Sequence, residues 1–310
     1  MRWLALLLCL LVGGCGFGEG GTHGDVTLIV TRDFGAERLH EGIDEETAEG
    51  GDTVMRLLQE NYDVQTRYGG GFVQEVDGIA GGRENGRRAD WFYYVNGIEA
   101  PVGAAERRVT GGERVWWDHH RWEAAQRVPA VVGSFPEPFL TGLEGKRFPV
   151  KLVCVGDAER SCDEVETRLQ GTGVDAVSRS GIPQSAGQEV LRVMVGRWAE
   201  LRADNIARRL EQGPAATGVF ARPSSAGDRI ELLDVNGDTV RTLRAGGGLV
   251  AATSIEGQAP TWVVTGTDEV GLAAAAAALT EKRLTEHFAL AVEDGDDISL
   301  PVDESRTDEP

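Results

Sequence analysis

The hydrophobic pattern changes period several times along this chain, and each change predicts an element. Val26 to Thr31 alternates apolar and polar side chains, the two-residue period of a half-buried strand. From Phe34 to Gly50 the chain is polar and acidic without a period, which predicts a loop. Asp52 then stands as an N-cap ahead of Val54, Leu57, Leu58 and Tyr62, an i, i+3, i+4, i+8 stripe that predicts a short amphipathic helix. Further strands are predicted from Phe72 to Val76, from Asp90 to Val95 and from Arg114 to Asp118; the second ends in Asn96-Gly97, a strong hairpin signal. Strand, helix, then several strands predicts an α+β domain of β-grasp type over residues 25–125.

Pro129, Pro136 and Pro138 punctuate residues 126–149, which read as a linker. A second domain is predicted over 150–292. Its strands run from Val150 to Val155, Gly173 to Val177, Val190 to Val195, Gly218 to Ala221, Ile230 to Val235, Val240 to Leu243, Thr261 to Thr265 and Phe288 to Val292. Helices are predicted from Cys162 to Leu169, Arg197 to Leu210 and Asp268 to Leu284. Strands alternating with helices predict an α/β domain with a mixed, partly parallel sheet. Residues 293–310 read as an acidic disordered tail.

The amino terminus changes the picture of where this protein works. Arg2 precedes the apolar run Leu4 to Val12, which is too short to span a bilayer. The run ends in Val12-Gly13-Gly14-Cys15, which resembles the lipobox of bacterial lipoproteins. The resemblance implies a signal peptide over 1–14, lipidation of Cys15, and a membrane-anchored protein on the extracytoplasmic face; ordinary secretion with cleavage nearby is the alternative. Residues 15–24 read as a flexible tether. With Cys9 removed and Cys15 lipidated, Cys154 and Cys162 remain in an oxidising compartment and are expected to form a disulfide, the alternative being two buried thiols. A net charge of −19 argues against nucleic acid as a partner and against lying flat on anionic lipid.

The aromatic residues carry the candidate chemistry. Along a strand, Trp91, Tyr93 and Val95 share one face, and Phe92 and Tyr94 the other. Trp116 likewise opposes Val115 and Trp117. One face must cover the helix; the other is left to solvent or to a partner, so the aromatics serve either packing or ligand contact. Four motifs occur in order: Gly51-Asp52-Thr53, Gly71-Phe72 with Val76-Asp77-Gly78-Ile79, Trp91-Phe92-Tyr93-Tyr94-Val95-Asn96-Gly97, and Gly112-Glu113-Arg114-Val115. This order resembles the transcobalamin-like C-terminal domain, over about a third of the chain. The resemblance implies a β-grasp-like, ligand-binding module with cobalamin or another corrinoid as the leading ligand. It points to Phe72, Val76, Ile79, Trp91, Tyr93, Trp116 and Trp117 as apolar walls. The vertebrate carriers hold cobalamin mostly with a helical barrel that precedes this domain. Here a signal and tether stand in that place and an α/β domain follows.

Asp118-His119-His120 suggests a metal site. Neighbouring strand residues face opposite sides, so only Asp118 and His120 could act together; a solvent-facing strand end is the alternative. Gly196 and Gly266 stand at strand-to-helix junctions that could bind polar ligand groups, or that simply cap helices. No G-x-S-x-G, G-x-G-x-x-G or P-loop pattern occurs, and no acid/base pair stands out. The expectation is a non-enzymatic lipoprotein that needs no cofactor and passes a small ligand to a membrane importer. The rival is a surface protein-interaction or adhesion module without a small ligand.

Overall fold

A computed structural model describes residues 24–40, 46–48, 52–84, 86–174, 177–180, 189–255 and 258–303. The signal segment, Cys15 and all of the tether but Gly24 lie outside these residues. No helix among the described residues is long and apolar enough to cross a membrane.

In the first half, β1 (Gly24–Arg32), α1 (Val54–Asn61), β2 (Arg87–Val95) and β3 (Arg114–Arg121) place one helix on one sheet. β3 is central, parallel to β1 and antiparallel to β2. Parallel neighbours require a crossover, and this one carries α1 and a meander of Val64–Arg67, Phe72–Val76 and Ile79–Ala80. The predicted stripe Val54, Leu57 and Leu58 is the buried face of α1. The N-cap is Thr53, whose Oγ1 accepts from the Arg56 N–H at 3.2 Å, rather than Asp52. Asp52 is held outside the helix because its carbonyl accepts from the Val109 N–H at 2.9 Å.

Both faces of this sheet are covered. Trp91, Tyr93, Val95, Val115 and Trp117 pack beneath α1. Ile29, Tyr94 and Trp116 point the other way, into a core shared with the second half of the chain. Each large apolar side chain buried this way contributes roughly 1.5–3 kcal/mol relative to exposure.

The second half contains β4 (Val150–Cys154), α2 (Glu159–Gly171), β5 (Val177–Ser180), β6 (Leu191–Arg197), β7 (Gly248–Thr253), β8 (Thr261–Gly266), α3 (Glu269–Ala278), β9 (Ala289–Glu293) and β10 (Asp296–Leu300). The strand order is β5-β4-β6-β8-β7-β9-β10. Pairing is parallel from β5 to β8 and antiparallel beyond, so the sheet is mixed as predicted. α2 and α3 cover one face. A small meander over Ala221–Pro223, Ile230–Leu233 and Thr239–Leu243 and the first half cover the other. The expected disulfide joins Cys154 at the end of β4 to Cys162 in α2, with 6.1 Å between their Cα atoms.

Several predicted elements are corrected. The helix from Arg197 to Leu210 is broken into Trp198–Leu201 and a 3₁₀ turn over Ala207–Gln212. Asp204 breaks it by accepting from the Ile206 and Ala207 N–H groups and from the Arg192 guanidinium at 2.9 Å. The helix from Asp268 to Leu284 ends at Ala278, and Thr280 caps a new turn, Glu281–Leu284. β5 lies later than the strand read from Gly173 to Val177. β7 is absent from the sequence reading; its small residues let α3 approach, and a Cβ on Gly248 would stand 2.4 Å from the Gly271 carbonyl oxygen. The tail read from residue 293 onward contains β10, which pairs with β9 from Ala289↔Leu300 to Glu293↔Asp296; residues 304–310 lie outside the described ones.

Residues 126–149 run as a packed strap between the halves. The Val131 N–H donates to the Gly97 carbonyl at 2.9 Å, and the Val132 N–H to that of Phe288 at 3.2 Å. Phe135 and Phe139 lie against Trp262, with ring centroids 6.0 and 5.0 Å away.

Candidate functional site

The aromatic residues singled out by sequence do not line a common surface. Val76, Trp91, Tyr93, Trp116 and Trp117 are buried, Ile79 is half-buried, and only Phe72 is exposed. Their polar atoms are turned inward as well. Trp91 Nε1–H donates to the Ile79 carbonyl at 3.0 Å, and Trp116 Nε1–H to Thr31 Oγ1 at 2.8 Å. Tyr93 donates its hydroxyl to the Val102 carbonyl, and burial pushes its phenol up to about 12. These side chains build core, because the sheet face opposite α1 is covered by the second half. Phe72 meets Tyr68 edge to face at 6.3 Å on an exposed tip of the small meander.

Asp118 and His120 do share a face, and His119 turns the other way, against Trp91 at 5.2 Å. The pair is engaged internally. Asp118 accepts from Thr31 Oγ1–H (2.5 Å), Phe34 N–H (3.1 Å) and Gly35 N–H (2.9 Å), and its Oδ1 lies 2.7 Å from His120 Nδ1. The imidazole is stacked between Phe34 and Phe92, at 4.4 and 4.5 Å. The strand end is therefore interior, neither solvent-facing nor open to an ion. Among the described residues no group of three or more His, Cys, Asp or Glu is placed to hold a metal.

The strand-to-helix junctions resolve as packing and caps. A Cβ on Gly196 would stand 2.8 Å from the Val155 carbonyl oxygen, and one on Gly266 only 2.1 Å from the Leu272 nitrogen. Asp268 caps α3 by accepting from the Gly271 N–H at 2.9 Å. The hollow beside them, lined by Asp157, Arg197 and Glu200 among others, measures about 90 Å³.

A cleft of about 1000 Å³ opens where the first half, the strap and the second half meet. The Asn96-Gly97 turn builds its first wall. Asn96 (φ 54°) and Gly97 (φ 74°) are both left-handed, the backbone a two-residue hairpin turn needs, and they deliver Ile98, Glu99 and Pro101 to the cleft. The strap adds Arg127, Pro129, Lys146 and Phe148, and the second half adds Arg209, Ile255 and Pro260. Glu99 accepts from Arg127 Nε at 3.0 Å. Burial raises the Glu99 carboxyl above its ordinary value, with the Arg127 charge opposing. Lys146 pairs with Glu189 at the rim, and Arg209 donates to the Ala216 carbonyl at 2.7 Å. The result is a wide concavity of mixed apolar and polar surface, in which Arg127, Lys146 and Arg209 are matched by Glu99, Glu144 and Glu189, and its size suits a large organic ligand.

Of these cleft residues the sequence reading named only Pro129, as punctuation of the stretch read as a linker, and none as a site residue. Arg127 and Phe148 fall in the stretch read as a linker. The apolar run Val128 to Val132 was the available sign that this stretch is packed rather than free.

Comparison with known proteins gives limited coverage. Residues 51–121 match a family described as a domain of unknown function, DUF4430. No curated protein matches the chain. Among matching solved structures is one at 1.30 Å of a Ruminococcus gnavus protein provisionally described as metal binding. It is 14% identical, covers 32% of this chain and 98% of that chain, and superposes with a TM-score of 0.23.

Proposed function

We propose that this chain is a non-enzymatic ligand-binding lipoprotein, anchored through Cys15 on the extracytoplasmic face, whose β-grasp-type first half and second half together enclose a small molecule. The observation that carries this reading is the cleft of about 1000 Å³ at the meeting of both halves and the strap. Sites at such junctions, apolar with a few placed polar groups, are where proteins usually hold organic ligands. Cobalamin or another corrinoid is the first candidate, bound for delivery to a membrane importer. Phe148, Pro129 and Ile255 offer apolar contact to a flat ring system. Arg127, Arg209 and Lys146 offer donors to amides and to a phosphodiester. The buried aromatics of the first sheet support this site as scaffold, not as walls.

The test is a thermal-unfolding series with cyanocobalamin, aquacobalamin and a ring-lacking control ligand. A ligand that binds only the folded state raises stability by about 2.7 kcal/mol at a hundredfold excess over Kd. A concentration-dependent rise with the corrinoids alone supports the reading; no shift with either removes the corrinoid.

The rival reading, a protein-interaction module, is favoured by one observation. Tyr68 is 87% exposed and pairs with Phe72 at the meander tip, an unusual placement for two aromatic rings. A Tyr68→Ser/Phe72→Ser variant that loses cell-surface partner binding while keeping its cleft ligand would assign the tip to a partner.

A further inference from the structure

Four large apolar side chains are exposed among the described residues, and three of them, Tyr68, Phe72 and Val102, gather at one end of the first half. Tyr68 and Phe72 stand on the tip of the meander that follows α1, their ring centroids 6.3 Å apart. Val102 joins them from the loop between β2 and β3: a Cβ on Gly103, next in the chain, would stand 3.6 Å from the Gly71 carbonyl oxygen. The tip is held clear of the body. Tyr68 (φ 53°), Gly69 (φ 72°) and Gly70 (φ 94°) are all left-handed, and a Cβ on Gly69 or Gly70 would meet nothing within 4 Å. Left-handed backbone is costly for a tyrosine, and here it is kept where the ring faces water.

The start of β1 lies at the same end. The loop that passes the tip at Gly103 closes on β1 at Gly112, whose N–H donates to the Asp25 carbonyl at 2.8 Å. Between these points the Ala104 carbonyl accepts from the Met55 N–H at 3.0 Å and the Arg107 carbonyl from the Val54 N–H at 2.9 Å, so the loop crosses the amino-terminal end of α1. Arg67 and Arg108 are exposed at this end, with Glu106 the one exposed carboxylate of the loop. Cys15 precedes Gly24 by nine residues, a reach of at most about 30 Å extended and roughly 15–18 Å as a flexible glycine-rich chain. An anchor at Cys15 therefore keeps this end, with its three apolar side chains, against the bilayer.

Taking Cys15 as the anchor, as in the lipoprotein reading on which this rests, we propose that Tyr68, Phe72 and Val102 form a membrane foot. The foot enters the headgroup region of the leaflet that carries the anchor and fixes the orientation of the chain on it. A tyrosine suits that depth, with an apolar ring and a wet hydroxyl. Arg67 and Arg108 lay their apolar stems along the tip and reach the lipid phosphates. Three side chains are few for a protein interface, which takes roughly 20–30 residues a side. They suffice beside an anchor, because the tether already holds them at high local concentration at the surface. Pro101, next to Val102, lines the larger cleft, so the foot keeps one wall of that cleft beside the bilayer.

The test couples the chain that begins at Cys15, through the Cys15 thiol, to maleimide lipid in phosphatidylcholine vesicles, with and without lipid brominated just below the headgroups. The anchor is supplied chemically, so the result does not depend on lipidation in the cell; palmitate labelling of the full chain and its loss in Cys15→Ser test that reading separately. Tryptophan emission is compared in the parent, Tyr68→Trp, Phe72→Trp and Arg83→Trp. Arg83 is exposed on the strand Gly82–Glu84, which pairs with the start of β2 at the far end of the sheet. The native tryptophans among the described residues are buried or half-buried. Brominated lipid should quench the added emission of both tip variants by roughly half or more, as a ring lying about 5–10 Å deep requires. The parent and Arg83→Trp should be unchanged. No quenching at the tip, or equal quenching at the tip and at Arg83→Trp, would overturn the proposal. A tip that serves a protein partner instead gives the first of these results.

Discussion

Trp116 and Phe288 meet edge to face, their ring centroids 5.1 Å apart, across the junction between the two sheets. Phe288 also touches Phe34 (5.1 Å), His120 (5.4 Å) and Tyr94 (5.5 Å), so a single residue of the second half is received by four rings of the first. The halves are thus cemented by an aromatic core, and the strap is packed against both.

Phe288→Ala is expected to destabilise the protein by about 3–5 kcal/mol, the range for emptying an aromatic site in a core. The two halves should still unfold in one transition, with tryptophan fluorescence and far-ultraviolet circular dichroism coinciding. Two separated transitions in the parent protein would show that the shared core does not couple them.

Asn96 is the other fastening. It is fully buried in the left-handed conformation, its Oδ1 accepts from the Arg114 N–H at 2.7 Å, and its amide donates to Thr141 Oγ1 (2.8 Å) and the Gly142 carbonyl (2.7 Å). Asn96→Ala removes these bonds and leaves buried groups unpaired, at an expected cost of about 2–4 kcal/mol in urea unfolding. Asn96→Gly should cost less, because glycine keeps the backbone conformation.

Acid should weaken the fold through His287. Burial holds its imidazole below the ordinary value of 6.5, with the charge of Asp297 opposing. The folded state therefore favours the neutral ring. The stability this contributes is fully present above the unfolded-state value and is lost as pH falls through the folded-state value. Urea midpoints measured from about pH 7.5 down to about 5.5 should fall, and His287→Gln should flatten that slope.

The Cys154–Cys162 bond closes a short loop, with a sequence separation of 8. Replacing both cysteines by alanine should cost roughly 2–3 kcal/mol on loop-entropy grounds. Denaturant midpoints of the parent and the double variant in non-reducing buffer check it, and equal midpoints would contradict it.

What was legible in the sequence follows physical lines. α1 and the Asn96-Gly97 turn could be read because their signals are local: a helical stripe in one case, a dipeptide with left-handed backbone in the other. β7 could not, because a strand buried on both faces loses its alternation, and Ala251 and Ala252 are as good in a helix. Alternation set Tyr94 apart from Trp91 and Tyr93, and Trp116 apart from Trp117, yet it could not show that Trp116 and Tyr94 share a face or that Phe288 covers it, since register and contact are set by the tertiary fold. The same holds for the large cleft, whose walls come from stretches that carry no common pattern.

The most direct test of the central claim is calorimetric titration of the chain lacking its first fifteen residues with cyanocobalamin, beside an Arg209→Glu variant of unchanged thermal stability. Saturable binding at micromolar or tighter affinity, weakened at least about tenfold by the variant, is the expected result. Absence of binding, or binding that Arg209→Glu leaves unchanged, would contradict a corrinoid site in the cleft between the halves.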